Sequence, residues 1–268
     1  MIHPHTYIHP NAKLATNVKV DPFTVIHQNV EIGEGTWIGS NVTIMEGARI
    51  GRNCRIFPGA VISAAPQDLK FEGEETIVQI GDNSTIREFV TIHRGTRDRW
   101  KTVVGNNCLI MAYSHIAHDC IIGNNCVMSN NTQIAGHVMM GDYAILAGMC
   151  AVHQFVKIGQ HAFVSGGSLV GKDIPPYIKA GRSPLSYAGV NSIGLKRKGF
   201  TVEKINHILD IYRYIYNKGM NTTQAVQYIE EEFAATDERD EIVTFIRESG
   251  RGIIKRYSKT SFDEDLND

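Results

Sequence analysis

The stretch LIMAYSHIAHDCIIGNNCVMSNNTQIAGHV, residues 109–138, repeats one arrangement of side chains every six positions. An aliphatic residue stands at Ile110 and at each sixth residue after it, and a small residue follows each of them four positions later. A period of six fits neither the α-helix, with about 3.6 residues per turn, nor the coiled coil, with about seven per repeat. It is typical of short strands that each turn one side chain inward and are separated by tight corners, where Gly or Asn takes strained backbone angles.

The same period runs through most of the chain. Stepping by six from Ile8 to Val170 gives 28 positions, of which 25 are aliphatic; we call these the aliphatic column. The column fails only in residues 63–78 and 94–102, which we call the first and second excursions, and it resumes in the same phase after each. Three sides of six residues close a coil of 18, and stacked coils pair as parallel strands. Loops that leave a solenoid are often binding loops, although a tolerated surface insertion is the simpler alternative.

The repeat predicts an all-β solenoid over residues 1–182 and a C-terminal α-helical domain over 183–268. Helical periodicity begins at Phe200, and Lys218 with Gly219 is typical of the end of a helix. Asn221 or Thr222 can cap a second helix that runs through Phe233, and a third helix is predicted over about 238–248. We expect these helices to cover the open end of the solenoid, and we expect the tail, KTSFDEDLND (259–268), to be disordered.

Composition excludes several classes of function. The 27 Lys and Arg residues balance 28 Asp and Glu residues, which argues against nucleic acid as a partner. Neither an apolar run of about 18 residues nor a signal peptide is visible, so we expect a cytoplasmic protein without membrane insertion. The cysteines fall four residues after aliphatic positions, and we predict that they are packing residues in a reducing compartment: Cys54, Cys108, Cys120, Cys126 and Cys150.

Histidines recur close to the coil period. His118, His137 and His153 are separated by 19 and 16 residues, which predicts a column on one outer face, with His93 and His115 beside it. Three interpretations remain open on the residues alone. The imidazoles could hold zinc, one of them could be a general base, or they could simply stack and hydrogen-bond. The Asp directly after His118 favours the base, because it can orient and stabilise an imidazolium.

Several motifs together resemble the UDP-N-acetylglucosamine O-acyltransferase family, whose enzymes begin lipid A synthesis. The motifs are PQDLKF (66–71), TIHRGT (91–96), HIAHDC (115–120), IAGHV (134–138), AVHQF (151–155), DIPPY (173–177) and GVN..GLKRKGF (189–200). The resemblance implies a left-handed parallel β-helix with a C-terminal helical domain, assembled as a homotrimer. It also implies transfer of a 3-hydroxyacyl chain from acyl carrier protein to the sugar 3-hydroxyl of UDP-N-acetylglucosamine, with no cofactor and no metal.

The resemblance further implies roles for individual residues. His118 would be the general base, Asp119 would orient it, and the Gly136 N–H would hold the oxyanion. Gly166 would set the acyl length, and its lack of a side chain predicts a long chain. The substrate-binding residues would be Gln67, Asp68, Lys70, His93, His115, His137, His153, Asn191, Arg197 and Lys198.

The sequence departs from the family at two positions. Ile193 stands where a carboxylate is common, and Lys198 stands where a second Arg is common. We expect the carrier protein, which is acidic, to dock on basic residues, namely Arg182, Lys196, Arg197, Lys198 and Arg213. Three alternatives stay open at this point: a 3-amino sugar nucleotide as acceptor, a zinc carbonic anhydrase, and a scaffold without catalytic activity.

Overall fold

The structure is a computed structural model that describes residues 1–257. Most of its strands are only two residues long, as expected for a side of six residues with a corner at each end. The strands are β1 (Tyr7–Ile8), β2 (Lys13–Leu14), β3 (Lys19–Val20), β4 (Val25–Ile26), β5 (Glu31–Ile32), β6 (Trp37–Ile38), β7 (Thr43–Ile44), β8 (Ala48–Ile50), β9 (Arg55–Ile56), β10 (Val61–Ala64), β11 (Ile77–Ile80), β12 (Thr85–Ile86), β13 (Thr91–His93), β14 (Lys101–Val104), β15 (Leu109–Ile110), β16 (His115–Ile116), β17 (Ile121–Ile122), β18 (Val127–Met128), β19 (Gln133–Ile134), β20 (Met139–Met140), β21 (Ile145–Leu146), β22 (Ala151–Val152), β23 (Lys157–Ile158), β24 (Phe163–Val164), β25 (Leu169–Val170), β26 (Ile178–Gly181) and β27 (Ser186–Val190).

Three parallel sheets form the sides of the coil. Up to β25, every third strand joins the same sheet, and β26 then pairs with β24. The first sheet therefore runs from β1 to β25, the second from β2 to β23, and the third from β3 to β26. Neighbouring strands pair in register one coil apart, as in Val127 with Ile145. We call the edge between the first and second sheets the first corner, and the edge between the second and third sheets the second corner. At the end of the third sheet, β26 and β27 form an antiparallel hairpin, and the boundary predicted at 182/183 falls in its turn.

The aliphatic column forms the core of the coil, because its side chains point inward from each strand and are buried from Val20 onward. The small column, four residues after each aliphatic position, fills the space between them, and all five cysteines lie buried in it. Its hydroxyls donate to carbonyl groups of the next coil, as Thr24 does to Gly39 O at 2.8 Å. Short side chains fit here because long ones from three sides would collide on the coil axis.

Strained backbone angles at the corners occur at Asn and at some glycines, as predicted, and also at aromatic and other residues. The left-handed conformation occurs three residues after most aliphatic positions, often at Asn, as in Asn107 with φ of 55°. The glycines that directly follow aliphatic residues do not have positive φ. They are needed for close approach of the coils, because a Cβ on Gly105 would lie 2.6 Å from Gly123 O.

The coil continues in register across both excursions, as predicted. The strands before and after them pair with their neighbours one coil away, β10 with β13 and β11 with β14. The strands extend into the predicted loops, and the irregular segments shorten to 65–76 and 94–100. The two segments contact each other through Arg97, whose Nη2 lies 2.6 Å from Glu72 Oε2. Arg94 also lies over the Phe71 ring, 5.4 Å from its centroid.

The helical region of residues 1–257 contains four helices, α1 (Ser192–Arg197), α2 (Val202–Asn217), α3 (Thr222–Glu232) and α4 (Asp237–Arg247). The sequence predicted the last three; α1 was missed because six residues are too short to show a period. Asn221 caps α3 with a capping box, as one of the two predicted alternatives. The buried face of α2 packs on β27, and the Tyr212 hydroxyl donates at 2.6 Å to Pro176 O, two residues before β26. The predicted disorder of 259–268 concerns residues outside the described part of the chain.

None of the helices described in residues 1–257 combines the length and hydropathy that a bilayer-spanning segment requires.

Candidate active site

Two of the predicted histidines meet at the first corner. His118 follows β16 and His137 follows β19, one coil further on, and their rings meet edge to face with centroids 5.1 Å apart. His153 leaves the predicted column because it directly follows β22, whereas Phe155 occupies the corner and stacks on His137 at 4.4 Å. The spacings of 19 and 16 explain this difference, since only a spacing of 18 returns a residue to the same position in the coil.

Asp119 is the most strongly held polar group of the site. Its carboxylate is fully buried and accepts hydrogen bonds on both oxygens. Oδ1 accepts from the backbone N–H groups of Thr96 and Arg99, at 3.0 and 3.2 Å. Oδ2 accepts from Thr96 Oγ1 at 2.6 Å and lies 2.8 Å from His118 Nδ1. The carboxylate therefore has no freedom to turn away from the imidazole.

This environment sets the protonation of the pair. Burial alone raises the pKa of the Asp119 carboxyl, but the hydrogen bonds from Thr96 and His118 outweigh burial and hold its pKa below the ordinary value. An ionised carboxylate is only an acceptor, so His118 Nδ1 must carry the proton of the neutral ring. His118 Nε2 is then left with a free lone pair, which is the state that a general base requires.

Gly136 lies directly against the His118 ring. A Cβ at this position would be 2.6 Å from Cε1 and 2.8 Å from Nε2 of His118, so only glycine leaves room for the imidazole. Its φ is not in the left-handed region, and the requirement is therefore one of space. Across the described residues the Gly136 N–H donates to no protein acceptor, which leaves it available to a ligand.

A cleft of about 650 Å³ opens over the first sheet beside these groups. His118 and Gly136 lie in its wall, Gln67 reaches it from the first excursion, and apolar side chains such as Leu169 cover much of the rest. The full lining is Gln67, His93, His115, Ala117, His118, Gln133, Ile134, Ala135, Gly136, Ala151, Val152, His153, Gln154, Leu169, Val170 and Gly171. This combination suits a molecule with an apolar part and a few polar groups.

His93 and His115 form the polar end of that cleft. Their rings meet edge to face at 4.7 Å, and His115 Nδ1 lies 2.7 Å from Thr91 Oγ1. Burial, with the neighbouring charges of His115 and His118, lowers the pKa of His93 to about 4. Burial and His118 also lower the pKa of His115. Both rings are therefore neutral near neutral pH, where they can bind hydroxyl or amide groups without carrying charge.

A second pocket of about 520 Å³ adjoins the first corner on the other side of His137. It contains Asp68 and Lys70 of the first excursion, together with Asp98 of the second. Asp98 Oδ2 lies 3.0 Å from His137 Nδ1, and the angle of this contact falls outside that of a hydrogen bond. Gln67 and Asp68, adjacent in sequence, thus face different pockets. Lys70 and Arg97 are the basic residues of the second pocket, and Arg97 is paired with Glu72 and Glu74.

The remaining predicted residues lie away from His118. Asn191 caps α1, and its Nδ2 donates to His161 O at 3.0 Å, at the second corner. Lys198 Nζ lies 4.7 Å from the Tyr143 centroid at the same corner, and Arg197 ends α1. Gly166 is in neither pocket. It is Gly167, with φ of 71°, that takes the left-handed conformation of the corner.

One group of metal-capable side chains comes together in residues 1–257, formed by His118, Asp119 and His137. His118 Nδ1 is already engaged by the carboxylate, and each Asp119 oxygen already accepts two hydrogen bonds. A cation could gain Asp119 only by displacing buried donors, and the remaining two imidazoles fall short of the three protein ligands of a catalytic zinc. The geometry of the cluster therefore suits proton transfer better than metal binding.

The residues that hold the site in place are not predicted from the sequence. Thr96 and Arg99 fix the Asp119 carboxylate, and Phe155 packs on His137. Thr96 and Arg99 lie in an excursion, where no period connects them to the coil. For Phe155 the signal was present, because it lies 18 residues after His137.

Known proteins share this fold and these motifs. A profile described as "Udp N-acetylglucosamine O-acyltransferase; Domain 2" matches residues 173–254, and the bacterial transferase hexapeptide profile matches 29–64 and 101–136. An acyl-[acyl-carrier-protein]–UDP-N-acetylglucosamine O-acyltransferase of Trichlorobacter lovleyi is 54% identical over 95% of this chain and 99% of its own. A Sulfurihydrogenibium enzyme of the same name is 56% identical over 96% of each chain.

Solved structures agree with the sequence relatives. A UDP-N-acetylglucosamine acyltransferase from Bacteroides fragilis superposes with a TM-score of 0.94 at 50% identity, covering 95% of this chain and 100% of its own. The Francisella novicida enzyme gives 0.94 at 42% identity, covering 100% and 99%. The fold and the site thus define a hexapeptide-repeat acyltransferase on a left-handed parallel β-helix, with four helices at its C-terminal end. Within that class, the chain belongs to the UDP-N-acetylglucosamine O-acyltransferase family.

Proposed function

We propose that this protein transfers a 3-hydroxyacyl chain from acyl carrier protein to the 3-hydroxyl of UDP-N-acetylglucosamine, the first step of lipid A synthesis. The relatives named above carry both substrates in their names, and they cover nearly the whole chain. The observation that carries the mechanism is the His118–Asp119 pair, whose Nδ1–Oδ2 contact of 2.8 Å leaves His118 Nε2 free beside Gly136.

The reaction begins when the sugar hydroxyl oxygen attacks the thioester carbonyl carbon. Its proton passes to His118 Nε2, and the charge of Asp119 stabilises the imidazolium that forms. The carbonyl becomes a tetrahedral oxyanion. When this intermediate collapses, the carbon–sulfur bond breaks, and the carrier thiol takes the proton back from His118. The ester and the free thiol balance the reaction without a cofactor. A positioned base of this kind contributes about 10²- to 10⁴-fold to the rate.

The Gly136 N–H is the oxyanion donor of this proposal. It is free within the described chain and lies in the same cleft as His118. A donor aimed at the developing negative charge contributes about 2.7–4 kcal/mol where it has been measured. Glycine at this position therefore has two effects, because it admits the His118 ring and presents the N–H at short range.

We assign the sugar to the cleft, whose histidines are neutral, and its phosphates to the second pocket, which carries charged side chains. The neutral His93 and His115, with Gln67, suit the sugar hydroxyl and amide groups in the cleft. Lys70 in the second pocket suits a phosphate, and Asp68 beside it suits a sugar hydroxyl. His153 completes the wall of the cleft, and His137 completes that of the second pocket.

A homotrimer accounts for the residues that lie elsewhere. Asn191 and Lys198 contact the second corner and Arg197 precedes Lys198 at the end of α1, whereas His118 is at the first corner, so one chain does not bring them to the same ligand. Three parallel coils packed side by side would bring the second corner of one subunit to the first corner of the next. We therefore propose that the nucleotide is bound between subunits of a homotrimer, and that the enzyme works in the cytoplasm.

Purified protein supplied with UDP-N-acetylglucosamine and acyl carriers of different chain lengths tests the function. We expect an ester product, an unchanged rate with chelator, and loss of at least about 10²-fold in kcat for His118→Ala. Full activity in His118→Ala would refute the base, and loss with chelator would favour the zinc interpretation. A 3-amino sugar nucleotide as the better acceptor would favour the amide product, although the relatives are named O-acyltransferases.

A further inference from the structure

Thr96 is the residue that most strongly constrains the Asp119 carboxylate, and nothing in the reaction above uses it. Its hydroxyl donates to Oδ2 at 2.6 Å and its N–H donates to Oδ1 at 3.0 Å. Asp119 Oδ2 therefore contacts both the Thr96 hydroxyl and His118 Nδ1. Through this one oxygen, the second excursion is connected to the proposed base. Thr96 and Asp119 are both buried, which keeps water from replacing either bond.

Thr96 does not belong to the cleft over His118. It lines the second pocket, but its hydroxyl donates its one proton to Asp119 and accepts from Asp98 N at 3.3 Å, so the proton and one of the two lone pairs are used. Because the only proton of the hydroxyl is committed to Asp119, we expect an effect of Thr96 on the reaction to pass through that carboxylate.

The second excursion holds Thr96 in this position. Arg97, the next residue, pairs with Glu72 at 2.6 Å and reaches Glu74 at 3.8 Å, both in the first excursion. The Thr76 hydroxyl donates to Gly95 O, the residue before Thr96, at 2.5 Å. The two excursions therefore fix the backbone on both sides of Thr96, which an isolated surface loop would not do.

The interruption of the coil also changes the partner of the Asp119 backbone. At the equivalent position one coil later, the His137 N–H donates to a backbone carbonyl, His118 O, at 3.0 Å. The Asp119 N–H donates instead to the buried Thr102 hydroxyl, at 2.9 Å. Arg99 Nη1 also donates to Asp119 O at 3.0 Å. The excursion thus surrounds Asp119 with hydrogen-bond partners, both donors and an acceptor, that a regular coil does not supply.

We propose that Thr96 is a positioning residue for acyl transfer, which holds the Asp119 carboxylate in the orientation and ionised state that His118 requires. The inference rests on the proposed role of His118 and Asp119. The other charged or titratable groups that face the carboxylate are His137, with Nε2 at 3.9 Å, and Arg99. Neither gives Oδ2 a hydrogen bond, so Thr96 and His118 are its two donors among the described residues.

Thr96→Val is the decisive variant, because it removes the hydroxyl and keeps the shape and the backbone N–H. Loss of a hydrogen bond to a charged group lowers kcat by about 10- to 100-fold, with little change in KM for the sugar nucleotide. Thr96→Ser keeps the hydroxyl and restores kcat. Thr85→Val is the matched control, since Thr85 lies on β12 of the third sheet, and we expect it to behave as the unsubstituted enzyme.

Two further measurements separate positioning from a general structural effect. In an Asp119→Asn background, Thr96→Val should lower kcat no further, since its effect passes through the carboxylate. When kcat is plotted against pH, its fall on the acid side should begin at a higher pH in Thr96→Val. The reason is that the Asp119 carboxyl, having lost a hydrogen-bond donor, is protonated more readily. If the variant melts below the assay temperature, Thr96→Ala assayed under its own melting temperature gives the same comparison.

The outcomes distinguish this inference from the function itself. An unchanged kcat in Thr96→Val, an effect on KM alone, or additivity with Asp119→Asn would overturn the role of Thr96. If His118→Ala is inactive in the same assays, the proposed base survives that result. If His118→Ala is fully active, both proposals fail together.

Discussion

A single methyl group at Gly136 tests the geometry of the proposed base. In Gly136→Ala the new Cβ would lie 2.6 Å from His118 Cε1, whereas an ordinary contact begins at 3.4 Å. The imidazole must therefore retreat by about 0.8 Å, and Asp119 Oδ2, at 2.8 Å from Nδ1, resists this movement. A misplacement of about 1 Å at a reacting group costs about 100-fold in rate. We expect kcat to fall by about that factor, equal to about 2.7 kcal/mol in the barrier.

Steady-state acyl transfer, with thermal melting of each variant, is the assay. Gly148→Ala is the matched control, because Gly148 also stands two residues after an aliphatic position, and the nearest atom to its Cβ would be Asn130 O at 3.3 Å. We expect this control to keep its kcat. Since the φ of Gly136 is not left-handed, Gly136→Ala should melt close to the unsubstituted enzyme. A Gly136→Ala enzyme with kcat within a few-fold of normal would refute the placement of His118 against this backbone.

Three other predictions concern stability, chain length and the carrier. Because the pKa of His93 falls from its ordinary 6.5 to about 4, the unfolded chain binds the proton first, and stability should decrease as pH falls through this window. His93→Gln should flatten that dependence in thermal melts, and an equal slope in both proteins would contradict the burial argument. Gly166→Met should shift selectivity toward shorter acyl chains in a competition between carriers, and unchanged selectivity would show that Gly166 does not set the length. Reversal of charge at Lys196, Arg197 and Lys198 should raise KM for the acyl carrier more than for a small acyl thioester, and equal effects would place the carrier elsewhere.

The coil was predictable because it is built from a local rule. Each strand needs one inward aliphatic side chain and each corner a tight turn, so a period of six is visible in a single sequence. The cysteines followed from the same rule, and they lie in the buried small column as predicted. The His118–Asp119 pair was also accessible, since adjacent residues at a corner remain neighbours after folding.

Prediction failed where the local rule stops. Strained backbone angles were expected at Gly or Asn; Asn takes them, but the glycines directly after aliphatic residues do not, and most of these allow close approach of two coils, a contact between residues 17 or more apart. His153 was placed in the histidine column, although a spacing of 16 moves it off the corner that Phe155 occupies. Helix α1 was too short to show a period.

The sequence by itself thus determined the parallel coil, its core and the levels at which two loops leave it, because these depend on contacts that repeat. Only the tertiary structure decided what those loops do. Thr96 reaches Asp119 across 23 positions, and Arg97 binds Glu72 across 25, through segments that follow no repeat. Their paths are set by ion pairs, buried hydrogen bonds and aromatic contacts between the two excursions. Such contacts have no period in sequence, and they become visible only when the chain is folded.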